Sequence, residues 1–172
     1  NADWIYPDKI FSFNYTNTYE RIYDSVEVEY LHGRHGVEQN IVLGVSDLED
    51  DSLKKIKAYG FTKYHQKLFK DTDCQFLSGN IHLKQTKSFW SQVNNKTRII
   101  TQADRDRFKA NIFIWGHSLD ISDESYINEI FSNNYKYDEQ VRVTVYHFNK
   151  TAKFDLLNNL LAILGKDKVE HW

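Results

Sequence analysis

The stretch Asn111-Ile112-Phe113-Ile114-Trp115-Gly116-His117-Ser118-Leu119-Asp120 decides how this chain is read. Its first half is a short, uncharged apolar run, the signal of a strand. A glycine follows, then a small hydroxyl residue. A helix is predicted from near Asp123 to about Asn133, with Ser122 as its N-cap. Strand, glycine, hydroxyl and helix start form a layout that binds phosphate or ribose. The glycine admits the ligand, and free N–H groups together with the helix dipole favour an anion. An ordinary strand-to-helix loop has the same parts, so both readings stand at this point.

Working outward, further strands are predicted near residues 9–13, 26–31, 41–45 and 140–146, besides 111–115. Lys9 to Phe13 is a short apolar run ending in polar residues. Val26, Val28 and Tyr30 alternate with Glu27 and Glu29, which gives a strand with one wet face. Thr18 to Asp24 reads as a short helix capped by Thr16 or Asn17. Phe154 to Leu164 reads as an amphipathic helix stopped by Gly165, with its Leu/Phe stripe in the core. Between residues 50 and 110 the apolar positions Leu53, Ile56, Tyr59, Phe61, Tyr64, Leu68 and Phe69 recur at helical spacing, which predicts an insert of several helices. Lys63 and Lys67 share one face of it and read as a solvated face beside a core stripe. The order of strands and helices predicts an α/β fold of Rossmann-like type: a mostly parallel sheet flanked by helices, with the insert at about 50–110.

The chain has 172 residues, 41% of them hydrophobic and 15% aromatic, enough for one domain with a sizeable core. With a net charge of -2, the whole chain carries no basic field for nucleic acid or an anionic membrane. No apolar run approaches the roughly 20 residues a membrane-spanning helix needs. Cys74 is the one cysteine, which excludes an internal disulfide and predicts a reducing, cytoplasmic setting. Asn1-Ala2 reads as the scar of a cleaved tag, leaving residues 3–172 for fold reasoning.

Three polar clusters fall at predicted strand ends, where open α/β sheets place their ligands. In Asn14-Tyr15-Thr16-Asn17-Thr18, amide and hydroxyl groups suit sugar hydroxyls or a positioned water; the same residues are also turn and cap formers. In His32-Gly33, an imidazole suits general-base chemistry and the glycine a sharp turn; for a lone His-Gly, a loop histidine without a role is the better reading. The third cluster is Gly116 to Asp123. His32 and His35 form a possible metal pair, but no further ligands accompany them, so no metal is expected.

The runs Ser12-Phe13-Asn14-Tyr15-Thr16-Asn17-Thr18-Tyr19-Glu20, Leu31-His32-Gly33, Phe61-Thr62-Lys63-Tyr64-His65-Gln66-Lys67 and Gly116-His117-Ser118-Leu119-Asp120-Ile121-Ser122-Asp123 resemble, in this order, the bacteriophage abortive-infection family AbiH. That family opens on a Gly-Asn-Gly-Phe-Asp type motif absent here. The chain is therefore expected to correspond to the C-terminal portion, without the phosphate-binding N-terminal part and inactive by itself. A more distant likeness is to sirtuin-type NAD-binding proteins: Asn14 falls on their asparagine, His32 on their catalytic histidine and Gly116-His117-Ser118-Leu119 on their last motif. Phe13, Thr16 and His117 depart from that pattern, and the zinc-binding cysteines are absent.

The resemblance implies two functions. In the first, the intact protein binds or hydrolyses NAD or a related nucleotide. Asn14 and His32 act at the nicotinamide ribose, and Thr16, Asn17, Gly33, Gly116, His117, Ser118 and Asp120 hold the cofactor. In the second, it is a non-catalytic nucleotide sensor or interaction domain that answers a phage-derived trigger, with the helical insert as the partner surface. Neither implies a membrane or nucleic-acid partner.

Overall fold

The computed structural model describes residues 6–22, 26–36, 40–45, 47–69, 76–94, 99–132 and 141–171. The chain divides into two compact units, Asn1–Cys74 and Gln75–Trp172. Each has its own parallel pair of strands.

In the first unit, β1 (Ile10–Ser12) pairs with β2 (Val28–Tyr30), Ile10 opposite Val28. The helix α1 (Thr18–Ile22) connects them. Asn17 opens that helix through its carbonyl, which accepts from the Arg21 amide at 3.1 Å. Glu29 lies 2.7 Å from the ammonium of Lys9, the residue before β1, and raises its pKa above the ordinary value. Two short helices follow, α2 (Asp51–Lys55) and α3 (Lys63–Phe69), with a 3₁₀ turn at Ala58–Phe61 packed against both. Thr62 caps α3: its hydroxyl accepts from the His65 amide at 3.3 Å.

The predicted strand at 41–45 is not formed. Its one sheet contact is an isolated bridge from Val45 to Thr62. The cause is local. Gly44 takes φ +129°, outside the extended region, and Leu43 pairs with a side chain instead of a strand. The Leu43 amide donates to Gln66 Oε1 at 3.0 Å, while Gln66 Nε2 donates to the Leu43 carbonyl. One primary amide thus replaces a neighbouring strand.

In the second unit, β3 (Ala110–Ile114) pairs in parallel with β4 (Val141–Val145), Ala110 opposite Val141 and Ile114 opposite Val145. Their crossover contains α6 (Glu124–Phe131). Before β3 come α4 (Ile81–Asn94) and α5 (Gln102–Arg107). Leu83, Thr86, Phe89 and Trp90 form the buried side of α4; Phe89 stacks on Phe108 at 4.1 Å, and the Trp90 indole donates to the Phe108 carbonyl at 3.0 Å. Tyr126, Ile127, Ile130 and Phe131 form the buried side of α6. After β4 come α7 (Lys150–Leu164), capped by the Asn149 side chain at 2.8 Å from the Ala152 amide, and α8 (Lys166–His171). Gly165 between them has φ +78°, the left-handed turn that ends α7.

Five other expectations are corrected. The strands form two small sheets rather than one, and the segment 50–110 is shared between the units instead of forming one insert. Lys67 is buried, not solvated, whereas the apolar residues predicted as the core stripe beside it are exposed. The Leu/Phe stripe of α7 is exposed at Phe154, Leu157 and Leu161, because the helix packs on α6 through its other side. Ser122 does not cap α6; it lies in a 3₁₀ turn, Ile121–Asp123, capped by Asp120. The predicted end of that helix at Asn133 lies outside the described residues.

Candidate functional site

All three polar clusters stand just beyond the carboxyl ends of parallel strands: 14–18 after β1, 32–33 after β2 and 116–120 after β3. The first two belong to the first unit and the third to the second.

In the first unit the two loops knit together around His32. The Leu31 amide donates to Ser12 at 2.9 Å, and the His35 amide to Tyr15 at 2.9 Å. The His32 imidazole is only 4% exposed, with Phe13 edge-on at 5.3 Å and Tyr15 at 6.4 Å. The Tyr15 hydroxyl donates to the Val42 carbonyl at 3.3 Å, and the Val42 amide to the His32 carbonyl at 2.8 Å. Gly33, at φ +79°, has the Asn40 backbone against the position a Cβ would occupy, so the turn tolerates glycine alone. Asn14 is exposed between the two rings' owners and closes a small turn with Ser12. Thr16 bonds Thr18 at 3.1 Å, hydroxyl to hydroxyl. His32 is a core residue of the strand-end turn, not a loop residue that can be exchanged without structural effect.

The second unit has the open site. A cleft of about 470 Å³ lies at the carboxyl ends of β3 and β4, between Gly116-His117-Ser118, Tyr146-His147-Phe148 and the first turns of α7. Gly116 takes φ +63° and Leu119, without a glycine's freedom, φ +53°. A left-handed non-glycine residue stores roughly 1 kcal/mol of strain, so something must hold it. His117 does so. Its Nδ1 accepts from the Leu119 amide at 2.8 Å, which leaves the proton on Nε2, 3.4 Å from Asp123 Oδ2. The Leu119 side chain is fully buried below. Both imidazole nitrogens are thus committed to the turn. Asp120 is committed too, accepting from the Ser122 amide at 2.9 Å. Asn159 of α7 donates to the Ser118 carbonyl at 2.9 Å, tying the loop to the helix. Beside His117 itself, Gly116, Ser118, Tyr146, His147, Phe148 and Asp155 of α7 line the cleft.

Sequence reading found the β3 side of this cleft and missed the β4 side. The rule that flagged 116–120 applies equally to Tyr146-His147-Phe148, which directly follow β4.

Two small parallel sheets flanked by helices define an α/β protein. The model of the family "Bacteriophage abortive infection AbiH" matches residues 3–147, and the chain belongs to that family. Comparison with curated proteins and with solved structures finds no match. Among the described residues no helix is long and apolar enough to cross a membrane.

Proposed function

We propose that this protein serves abortive infection as a nucleotide-recognition component, and that the cleft of the second unit is where recognition occurs. The observation that carries the reading is the division of labour around that cleft. His117 and Asp120 shape the loop, while the cleft is lined by the Gly116 backbone, Ser118, His147, Asp155, the Phe148 ring and Tyr146, whose ring also rests on Trp115 at 5.1 Å. Tyr146 and Phe148 suit a base by stacking. Asp155 suits ribose hydroxyls as an acceptor. The N-terminus of α7 adds the positive end of a 15-residue helix. NAD and ADP-ribose are compounds of this chemistry. Turnover is not part of the reading: His32, the candidate base, is packed between Phe13 and Tyr15.

Calorimetric titration with NAD, ADP-ribose and nicotinamide tests this, with nicotinamide release followed in parallel. Binding of the first two, lost in Phe148→Ala and Gly116→Val, without nicotinamide release, is the expected result. Nicotinamide release abolished by His32→Gln would replace recognition with catalysis. Absence of binding to any of the three would reject the nucleotide reading.

A further inference from the structure

The side that α7 turns to the cleft carries one charge. Ala152, Asp155, Leu156 and Asn159 line the cleft at helical spacing, so they form one side of the helix. Asn159 is committed to the Ser118 carbonyl, to which it donates at 2.9 Å. Asp155 is exposed, and among the described residues no hydrogen bond or ion pair engages its carboxylate. Lys150 and Lys153, the cations nearest to it in sequence, leave the helix by other sides. Among the described residues no lysine or arginine lines the cleft. The basic groups that do are two imidazoles, and the His117 ring is held by the turn.

This distribution of charge treats a phosphate differently at different depths. The positive end of a helix acts within its first turn. A 5′-phosphate chain near Lys150 meets that end, whereas Asp155 is the sixth residue of α7 and lies beyond it. A phosphate ester beside Asp155 would bring roughly −1.5 to −2 charges against a carboxylate, with no cation to offset them. Hydroxyl groups have the opposite effect. A carboxylate accepts several hydrogen bonds at once, and the 2′,3′-diol of a ribose offers two neighbouring donors. Bonds to an ionised acceptor are the stronger kind. Granted the nucleotide reading of this cleft, on which this rests, we infer that Asp155 determines its specificity. It receives the 2′,3′-diol of the ribose joined to the stacked base, and it excludes nucleotides that are 2′-deoxy or 2′-phosphorylated there.

Calorimetric titration of the full chain with three probes tests this: ADP-ribose, its 2′-deoxyadenosine analogue and its adenosine 2′-phosphate. Adenine is the one base in all three, so the ribose joined to it is the part that varies. The parent protein should bind ADP-ribose, and each analogue at least about tenfold more weakly. Asp155→Ala should weaken ADP-ribose to the level of the 2′-deoxy analogue and leave the affinity for that analogue unchanged. Asp155→Asn, which removes the charge and keeps an acceptor, should bring the 2′-phosphate closer to ADP-ribose. Circular dichroism and thermal unfolding of both variants should match the parent, because the carboxylate is exposed and unengaged. Equal affinity of the parent for all three probes would overturn the role of Asp155 and leave the nucleotide reading standing. So would selectivity that persists in Asp155→Ala. Absence of ADP-ribose binding to the parent would reject both.

Discussion

The helices α3 and α6 carry the same kind of pattern and use it in opposite ways. In α6 the apolar positions Tyr126, Ile127, Ile130 and Phe131 face inward and are buried. In α3 Tyr64, Leu68 and Phe69 face outward and Lys67 faces inward. Periodicity establishes that a stripe exists and which residues share it. It does not establish what lies against either side. In α6 Glu129 also holds two backbone amides, those of Phe76 and Leu77 at 3.0 and 2.9 Å, but its stripe still goes in. For α3 the other side offers Gln66 as a bidentate partner for a segment that has no strand beside it, and the polar bonds win.

Substitution separates the two helices most sharply. Ile127→Ala in α6 should destabilise by about 3 kcal/mol, the usual loss for a fully buried aliphatic side chain. Leu68→Ala in α3 should change stability by less than about 0.5 kcal/mol, as exposed positions do. Chemical denaturation of both variants checks the contrast; equal losses would mean that α3 buries its stripe after all.

The polar side of α3 has its own test. Gln66→Ala removes both side-chain bonds to the Leu43 backbone, while the bonds of Val42 and Val45 remain. A loss of about 1–2 kcal/mol is expected, together with accelerated amide exchange at Leu43. Exchange at Leu43 as slow as in the parent protein would show that the side chain does not hold the segment. Gly33→Ala should have an effect of similar size, because its left-handed turn has the Asn40 backbone where the methyl group would go.

The smallest effect expected is in the cap of α2. Hydrogen bonds from Ser52 hold the exposed Asp50 carboxyl below the ordinary aspartate value. For a carboxyl lowered on folding, the stabilisation is present above the unfolded pKa and lost as pH falls through the folded one. The first turn of α2 should therefore fray only under strongly acidic conditions. An NMR titration of Asp50 with a midpoint at or above the ordinary range would contradict this.

Much of the strand-end layout was legible. Asn111 to Trp115 reads as a strand because its apolar run is short and ends at a glycine, and β3 covers Ala110–Ile114. The placement of three polar clusters at carboxyl ends also followed from the order of elements. Two of the readings that failed depended on contacts remote in sequence. Residues 41–45 look like a strand until Gly44 and Gln66 are seen together. His32 looks like a loop histidine until Phe13 and Tyr15 close over it. The third is local: His117 looks like a ligand group until the left-handed turn at Leu119 brings the Leu119 amide and Asp123, two and six residues on, to its two nitrogens.

We propose that the second unit's cleft receives a nucleotide on the loop that His117 shapes. Backbone amide shifts followed by NMR during titration with ADP-ribose test this. Perturbations are expected at Gly116, Ser118, Tyr146, His147, Phe148 and Ala152, with His117 keeping its proton on Nε2 throughout. Perturbations confined to residues 13–17 and 32–33, or a transfer of the His117 proton on binding, would contradict it.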